Sequence, residues 1–329
     1  MKFLKQKPSS KTVLYAGIVF ISASMMIVLF LNKKDTSESI SPLTLSTTPT
    51  PYPLPTQAYD SPSYFTTIFG QIFGKGNQSV DPSQIATDGQ QQAENEYLDL
   101  YSENGYLPVD VQWWQKKSKQ VYEYVSQRFG ARVNEKVIVT FVPQKSGNCA
   151  PRGTTFHEQQ PVIVIFANQD TSKEQILAVL AHELGHVFIH QKYENLSDVA
   201  LNEGMATWAA GVYWKGWKGV DFNSGVIGFV NDKNYLPLFQ NFDMSKAYDD
   251  NSPDCIIHRD VLLTELASFL DYLIQNYGSE KLATLFDVRQ PELTNNQRVI
   301  YPPNFKDVYG LEFNQLEYEW LKTLFQPSQ

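Results

Sequence analysis

His182-Glu183-Leu184-Gly185-His186 decides how this chain is read. The run around it predicts a helix. Thr171 or Ser172 can cap its start, with Glu174 or Gln175 as the partner of a capping box. Ile176, Leu177, Leu180, Ala181, Leu184, Val187 and Phe188 recur at helical spacing, and no proline interrupts them before about Gln191. Residues four apart on a helix share a face, so His182 and His186 can point two imidazoles at one ion. Glu183 lies about 100° further round. From there its carboxylate reaches a water on the ion more easily than the ion itself.

A catalytic zinc takes three protein ligands and keeps one position for water. Lys192-Tyr193-Glu194-Asn195 reads as a turn, and Asp198 as the cap of a second helix carrying Val199, Leu201, Met205, Trp208, Ala209 and Val212. Glu203, in Asn202-Glu203-Gly204-Met205-Ala206, sits on its second turn, seventeen positions after His186. An antiparallel pair of helices would set Glu203 opposite the two histidines. A metzincin would need a histidine six positions after His186, where this chain has Lys192. HExxH also occurs by chance in proteins without zinc, so the apolar flanks and the Glu203 segment carry much of the weight.

With these residues in place, the segment resembles the gluzincin metallopeptidases, nearest to the aminopeptidase-N-like pattern and the related peptidase MA-like domains. His182, Glu183, His186 and Glu203 match residue by residue. Ser268, Phe269, Tyr272, Tyr277, Gly278, Glu280, Lys281 and Leu282 look like a downstream helix of the MA-like domains, and Leu316, Glu317, Glu319 and Trp320 like their closing helix. The resemblance is close over about 172–209 and weaker over roughly 261–325. Two features depart from it. The aminopeptidase-N-like spacing from second histidine to glutamate is longer by two residues. The GxMEN element is also missing, its region reading Gly153-Thr154-Thr155-Phe156-His157-Glu158. The resemblance implies an α+β, zincin-like catalytic domain with a small mixed sheet and a mainly helical C-terminal part. It implies one Zn2+ on His182, His186 and Glu203, Glu183 as general base, and a peptide or protein substrate. It also implies an edge strand, just before the HExxH helix, that pairs with an extended substrate backbone. An oxyanion donor is needed as well. His258 is the candidate, with Tyr248 and Tyr235 as rivals. His190 reads as supporting or incidental, and His157 has no evident partner.

Residues 13–31 are almost wholly apolar and as a helix would span about 28 Å, close to the ~30 Å hydrocarbon core. Lys2, Lys5, Lys7 and Lys11 precede them, so residues 1–12 are expected to be cytoplasmic and the remainder outside. Ala23 and Ser24 offer a signal-peptide cleavage site, but the apolar run continues to Leu31, which favours a retained anchor. The first 34 residues carry six lysines and no acid. That leaves 21 of the 27 basic residues against all 35 acidic ones, a balance of −14. With no basic patch interleaved with aromatics, a nucleic-acid partner is not expected.

Residues 32–93 read as stalk and linker: Ser/Thr/Pro-rich to about Pro62, then a stripe of Phe65, Ile68, Phe69, Ile72 and Phe73, then a polar stretch. The catalytic domain is expected over 94–329. Asp110 caps a helix that Gly130 ends, and 137–142 and 162–166 are β-branched strands. Trp208, Trp214 and Trp217 read as core. Cys149 and Cys255 can form a disulfide outside the cell. A different class of function also fits: a surface-anchored binding or adhesion module with a non-catalytic zinc. A closed site would need a fourth protein ligand, and the local sequence offers no cysteine or obvious further histidine for it.

Overall fold

Among the described residues the first strand, β1 (Gln90–Glu94), pairs antiparallel with β2 (Leu98–Ser102), just ahead of the boundary read at Glu94. The computed structural model describes residues 89–326 except 103–104, 145–146, 148, 158–159, 194–197, 250, 287–292, 295–296 and 299–303. The expected membrane anchor at 13–31 and stalk up to residue 88 lie outside the described residues. Among the described residues, no helix is long and apolar enough to cross a membrane.

β3 (Val137–Val142), β4 (Gly153–His157) and β5 (Pro161–Phe166) complete a mixed sheet of order β1-β2-β3-β5-β4. β2, β3 and β5 run parallel, and β4 returns antiparallel along β5. The α1 helix (Val111–Phe129) crosses from β2 to β3, capped by the Asp110 carboxylate on the Trp113 N–H at 2.8 Å and ended by Gly130 at φ 61°. Alternate residues of β3 and β5 explain why both read as unbroken apolar runs. Val139, Phe141, Ile163 and Ile165 face the helices, while Ile138, Val162, Val164 and Phe166 join Phe156 in a smaller cluster on the other face.

One expectation is corrected here. The strand immediately before the HExxH helix is β5, which lies inside the sheet between β3 and β4. The edge strand beside it is β4, whose Gly-Thr-Thr start gave no apolar signal.

The remainder is helical, so the fold is α+β. The α2 helix (Lys173–Tyr193) carries the HExxH segment, and its cap is Ser172, which accepts from the Gln175 N–H at 3.1 Å. It continues through Lys192 and Tyr193, two residues expected to turn. The α3 helix (Val199–Lys218) starts at Asp198, whose side chain accepts from the Leu201 N–H at 2.8 Å. Then come α4 (Phe222–Asn231), α5 (Leu238–Asn241), a 3-10 turn (Ser245–Ala247) and the central α6 (Cys255–Tyr277). After α6 follow α7 (Ser279–Phe286), a ribbon of β6 (Leu293–Thr294) and β7 (Gln297–Arg298), α8 (Phe305–Tyr309) and α9 (Phe313–Phe325).

Two glycines let three helices meet at the site. A Cβ on Gly185 would stand 2.7 Å from the Ala206 Cα, so α2 and α3 touch backbone to backbone there. A Cβ on Gly204 would stand 2.8 Å from Leu270 Cδ1, which brings α3 equally close to α6. At Gly211 (φ 40°, ψ −108°) α3 kinks, and the freed Val212 N–H donates to the Tyr124 hydroxyl at 3.1 Å. Glu317 of α9 is buried and caps α5 from across the fold, accepting from the Leu238 and Phe239 N–H groups at 2.6 and 3.0 Å and from the Tyr235 hydroxyl. Trp320 Nε1 donates to Ser268 Oγ at 3.1 Å, docking the closing helix on α6. Cys149 and Cys255 form a disulfide, with Cα atoms 5.5 Å apart.

Candidate metal centre

The α2–α3 contact brings His182, His186 and Glu203 together, with potential ligand atoms all within 4.8 Å of one another. The two Nε2 atoms are 3.1 Å apart. Glu203 Oε2 lies 3.2 Å from His182 Nε2, and Oε1 lies 3.9 Å from His186 Nε2. Ligands about 2.0–2.2 Å from a tetrahedral zinc stand about 3.3 Å from one another, so the spacing fits that ion.

The ring tautomers fit too. The Thr207 hydroxyl donates to the Glu203 carbonyl at 2.8 Å, which leaves its oxygen to accept from His182 Nδ1 at 3.1 Å. Asn202 Oδ1 accepts from His186 Nδ1 at 2.9 Å. With both protons held at Nδ1, both Nε2 atoms turn lone pairs towards the Glu203 carboxylate. Three electron-pair donors converge, an arrangement that a cation stabilises. For Glu203, burial alone would raise the carboxyl. With no metal bound, protonation of the histidines at Nε2, together with the Tyr248 hydroxyl, outweighs burial and brings it down to about 2.

Glu183 is not in this cluster. It is buried at 5 % exposure under β4, where Thr155 Oγ1 donates to its Oε2 at 2.8 Å. A Cβ on Gly153 would come within 2.8 Å of its Cγ, so this glycine makes the space that the carboxylate occupies. Burial pushes Glu183 up to about 7, against the opposing pull of His186 and Thr155. Glu183, His182, His186 and Glu203 all line one cavity of about 150 Å3, together with β4 residues, Trp214, Trp217, Tyr248 and Arg259.

His258 does not line this cavity. It lies on the first turn of α6, whose cavity-facing residues are Arg259 and, one turn on, Leu263; a step of one residue rotates the side chain by about 100°. Of its rivals, Tyr248 lines the cavity and bonds to Glu203, whereas Tyr235 is engaged with Glu317. Trp214 and Trp217 border the cavity, and Trp208 donates to Asp271 at 2.8 Å. His157 and His190 prove to be each other's partners, stacked with ring centroids 4.0 Å apart. Burial and the neighbouring imidazoles lower His157 to about 3. Asn202, Thr207, Thr155 and Arg259 escaped the sequence reading. Asn202 alone had a local signal, since it adjoins Glu203.

No protein-family model matches the chain, and no curated protein matches it. Among the solved structures similar to it are two M1 zinc metallopeptidase mutants. One is an M1 zinc metallopeptidase mutant from Deinococcus radiodurans, at 16 % identity over 73 % of this chain and 52 % of that one, with a TM-score of 0.38. The other is a two-domain M1 zinc metallopeptidase mutant bound to L-arginine, at 14 % identity over 68 % and 48 %, also with a TM-score of 0.38. The chain spans about half the length of each.

Proposed function

We propose that this chain is a zinc-dependent hydrolase that cleaves peptide bonds, held at a membrane by residues 13–31 with its catalytic domain on the extracytoplasmic side. The observation that carries the catalytic reading is the convergence of His182, His186 and Glu203 beside a separately held Glu183 in one cavity. The anchor and its orientation rest on the apolar run and the lysines before it. His182, His186 and Glu203 would hold one zinc. Bound there, zinc supplies Lewis acidity, lowering the pKa of water towards neutrality and polarising a carbonyl.

The chain's own groups do the rest. The Glu183 carboxylate takes the proton from the attacking water and delivers it to the leaving amine nitrogen. Thr155 holds that carboxylate in place. Tyr248, which lines the cavity, takes the role first considered for His258, its hydroxyl turning from Glu203 to the developing oxyanion. β4, paired only with β5, offers its outer edge to an extended peptide backbone.

The test is Glu183→Gln, which keeps size and hydrogen bonding but removes the base. The variant should fold, retain zinc and lose about 10²–10⁴-fold in hydrolysis of a peptide mixture, while His182→Ala loses both zinc and activity. A Glu183→Gln chain that cleaves as fast as the parent would exclude this mechanism and favour a binding module.

A further inference from the structure

Three cations gather at one wall of the cavity. Arg152, just before β4, forms a two-pronged ion pair with Asp260 at 2.6 and 3.1 Å. Lys218, at the end of α3, reaches the same carboxylate at 2.7 Å. Both cations also lie against Trp217, at 4.8 and 3.6 Å from its ring centroid. Arg259 makes a third cation. It is buried at 6 % exposure and donates to the Cys149 and Ala150 carbonyls, at 3.3 and 2.9 Å. Among the described residues, no carboxylate lies within ion-pairing distance of it. Two of the three cations therefore share one carboxylate and the third has none in ion-pairing range, in a chain whose net charge is −8.

A buried, unpaired guanidinium is costly. Burial, with the neighbouring Arg152 charge, acts against its ionised form and holds its pKa below the ordinary value, although Tyr248, Asp260 and Glu203 act through space in its favour. Two carbonyl bonds engage two of its five N–H donors and cancel none of its charge. The fork geometry of arginine suits a carboxylate. Arg259 lines the cavity on the α6 side, beside Tyr248, and so close to Glu203.

We infer that the cavity selects substrates carrying a carboxylate near the scissile bond, and that Arg259 receives it. This rests on the peptidase reading for the word substrate, though not for the binding of the carboxylate. Two sources share the chemistry: an aspartate or glutamate side chain, or the free carboxyl terminus of a peptide. Arg259 is a binding residue on this account, and Arg152 and Lys218, held by Asp260, add field rather than contact.

The probe is one neutral peptide blocked at both ends. Glutamate is stepped through its positions in one arm, and the carboxyl terminus is freed in the other. Binding is measured by fluorescence anisotropy to the full-length, zinc-loaded Glu183→Gln chain, so that no turnover is needed. At least one glutamate position, or the free terminus, should bind about tenfold or more tighter than the neutral peptide, the size expected of a charged hydrogen bond. Arg259→Gln should remove that advantage. Arg259→Lys, which keeps the charge and loses the fork, should reduce it only in part, and it serves as the reference if Arg259→Gln does not fold. No carboxylate advantage at any position would overturn the inference, as would an advantage that survives in Arg259→Gln or, should that variant not fold, stays undiminished in Arg259→Lys. Cleavage of the same peptides by the parent separates the two claims. Cleavage without carboxylate preference removes the inference and leaves the peptidase; carboxylate binding without any cleavage does the reverse.

Discussion

Asn202 and Thr207 decide which nitrogen each imidazole turns towards Glu203. Such partners typically contribute 10- to 100-fold in metal affinity. Asn202→Ala and Thr207→Val are therefore each expected to weaken zinc binding by roughly that factor, read by competition with a chromogenic chelator, with the fold retained. At this scale the sequence showed residue types and spacing. HExxH on a helix fixes its two histidines on one face whatever surrounds them, which is why His182 and His186 could be paired without a structure. Glu203 needed one further guess, that the next helix runs back alongside. The partners of the rings could not be read, because a hydrogen bond at 2.9 Å depends on how two helices are rotated about their axes. His258 and Arg259 illustrate the limit: neighbours in sequence, they stand on different sides of α6, and only the second lines the cavity.

At the level of elements, the site depends on how closely α2, α3 and β4 approach. Gly185→Ala would press a methyl into the Ala206 backbone. Overpacking of this kind costs about 1–3 kcal/mol, and here it also moves Glu203, one turn from Ala206, away from the histidines. Urea unfolding should show the loss of stability, and zinc titration a weaker site. Asp260 ties three elements together: the segment before β4 through Arg152, the end of α3 through Lys218, and its own helix α6. Burial would raise its carboxyl, but the two cations outweigh burial and hold it below the ordinary value. A depressed carboxyl stabilises the fold above its unfolded pKa of about 3.9 and loses that contribution as pH falls through the folded value. Asp260→Asn should thus be less stable than the parent by on the order of 2–3 kcal/mol at neutral pH. The gap should hold down to about pH 4 and narrow below it, in unfolding curves recorded with chelator present for both chains. Helix ends were legible because Asp110, Ser172 and Asp198 cap where short polar residues precede apolar periodicity. β4 was not, since a Gly-Thr-Thr edge strand buries too little on its outer side to leave a pattern.

Across the whole molecule, all described residues fall in one compact unit. The disulfide joins positions 106 residues apart within it. Closing a loop of about 100 residues restricts the unfolded chain by up to about 4.7 kcal/mol. Reduction is expected to lower the thermal midpoint by many degrees, seen by comparing unfolding with and without dithiothreitol at fixed zinc. The proposed topology has its own check. Protease shaving of intact cells should release the catalytic domain by cutting between Asp35 and Pro62; a domain that stays protected would reverse the orientation. A bond of this kind persists in oxidising compartments, which agrees with that placement. The proposed anchor rests on sequence alone, because an almost wholly apolar run such as 13–31 needs no tertiary context to be read. The cysteine pairing was legible only as a possibility, because two thiols far apart in sequence carry no geometry.

The two cysteines also bracket every residue assigned to the metal and its base, from Glu183 and the histidines on α2 to Glu203 on α3. A backbone nick anywhere between Cys149 and Cys255 therefore leaves both pieces tethered through sulfur. Nicked chains would migrate as intact protein on a non-reducing gel and split into two bands only after reduction. Autolysis or clipping in that interval would escape an assay that omits the reductant.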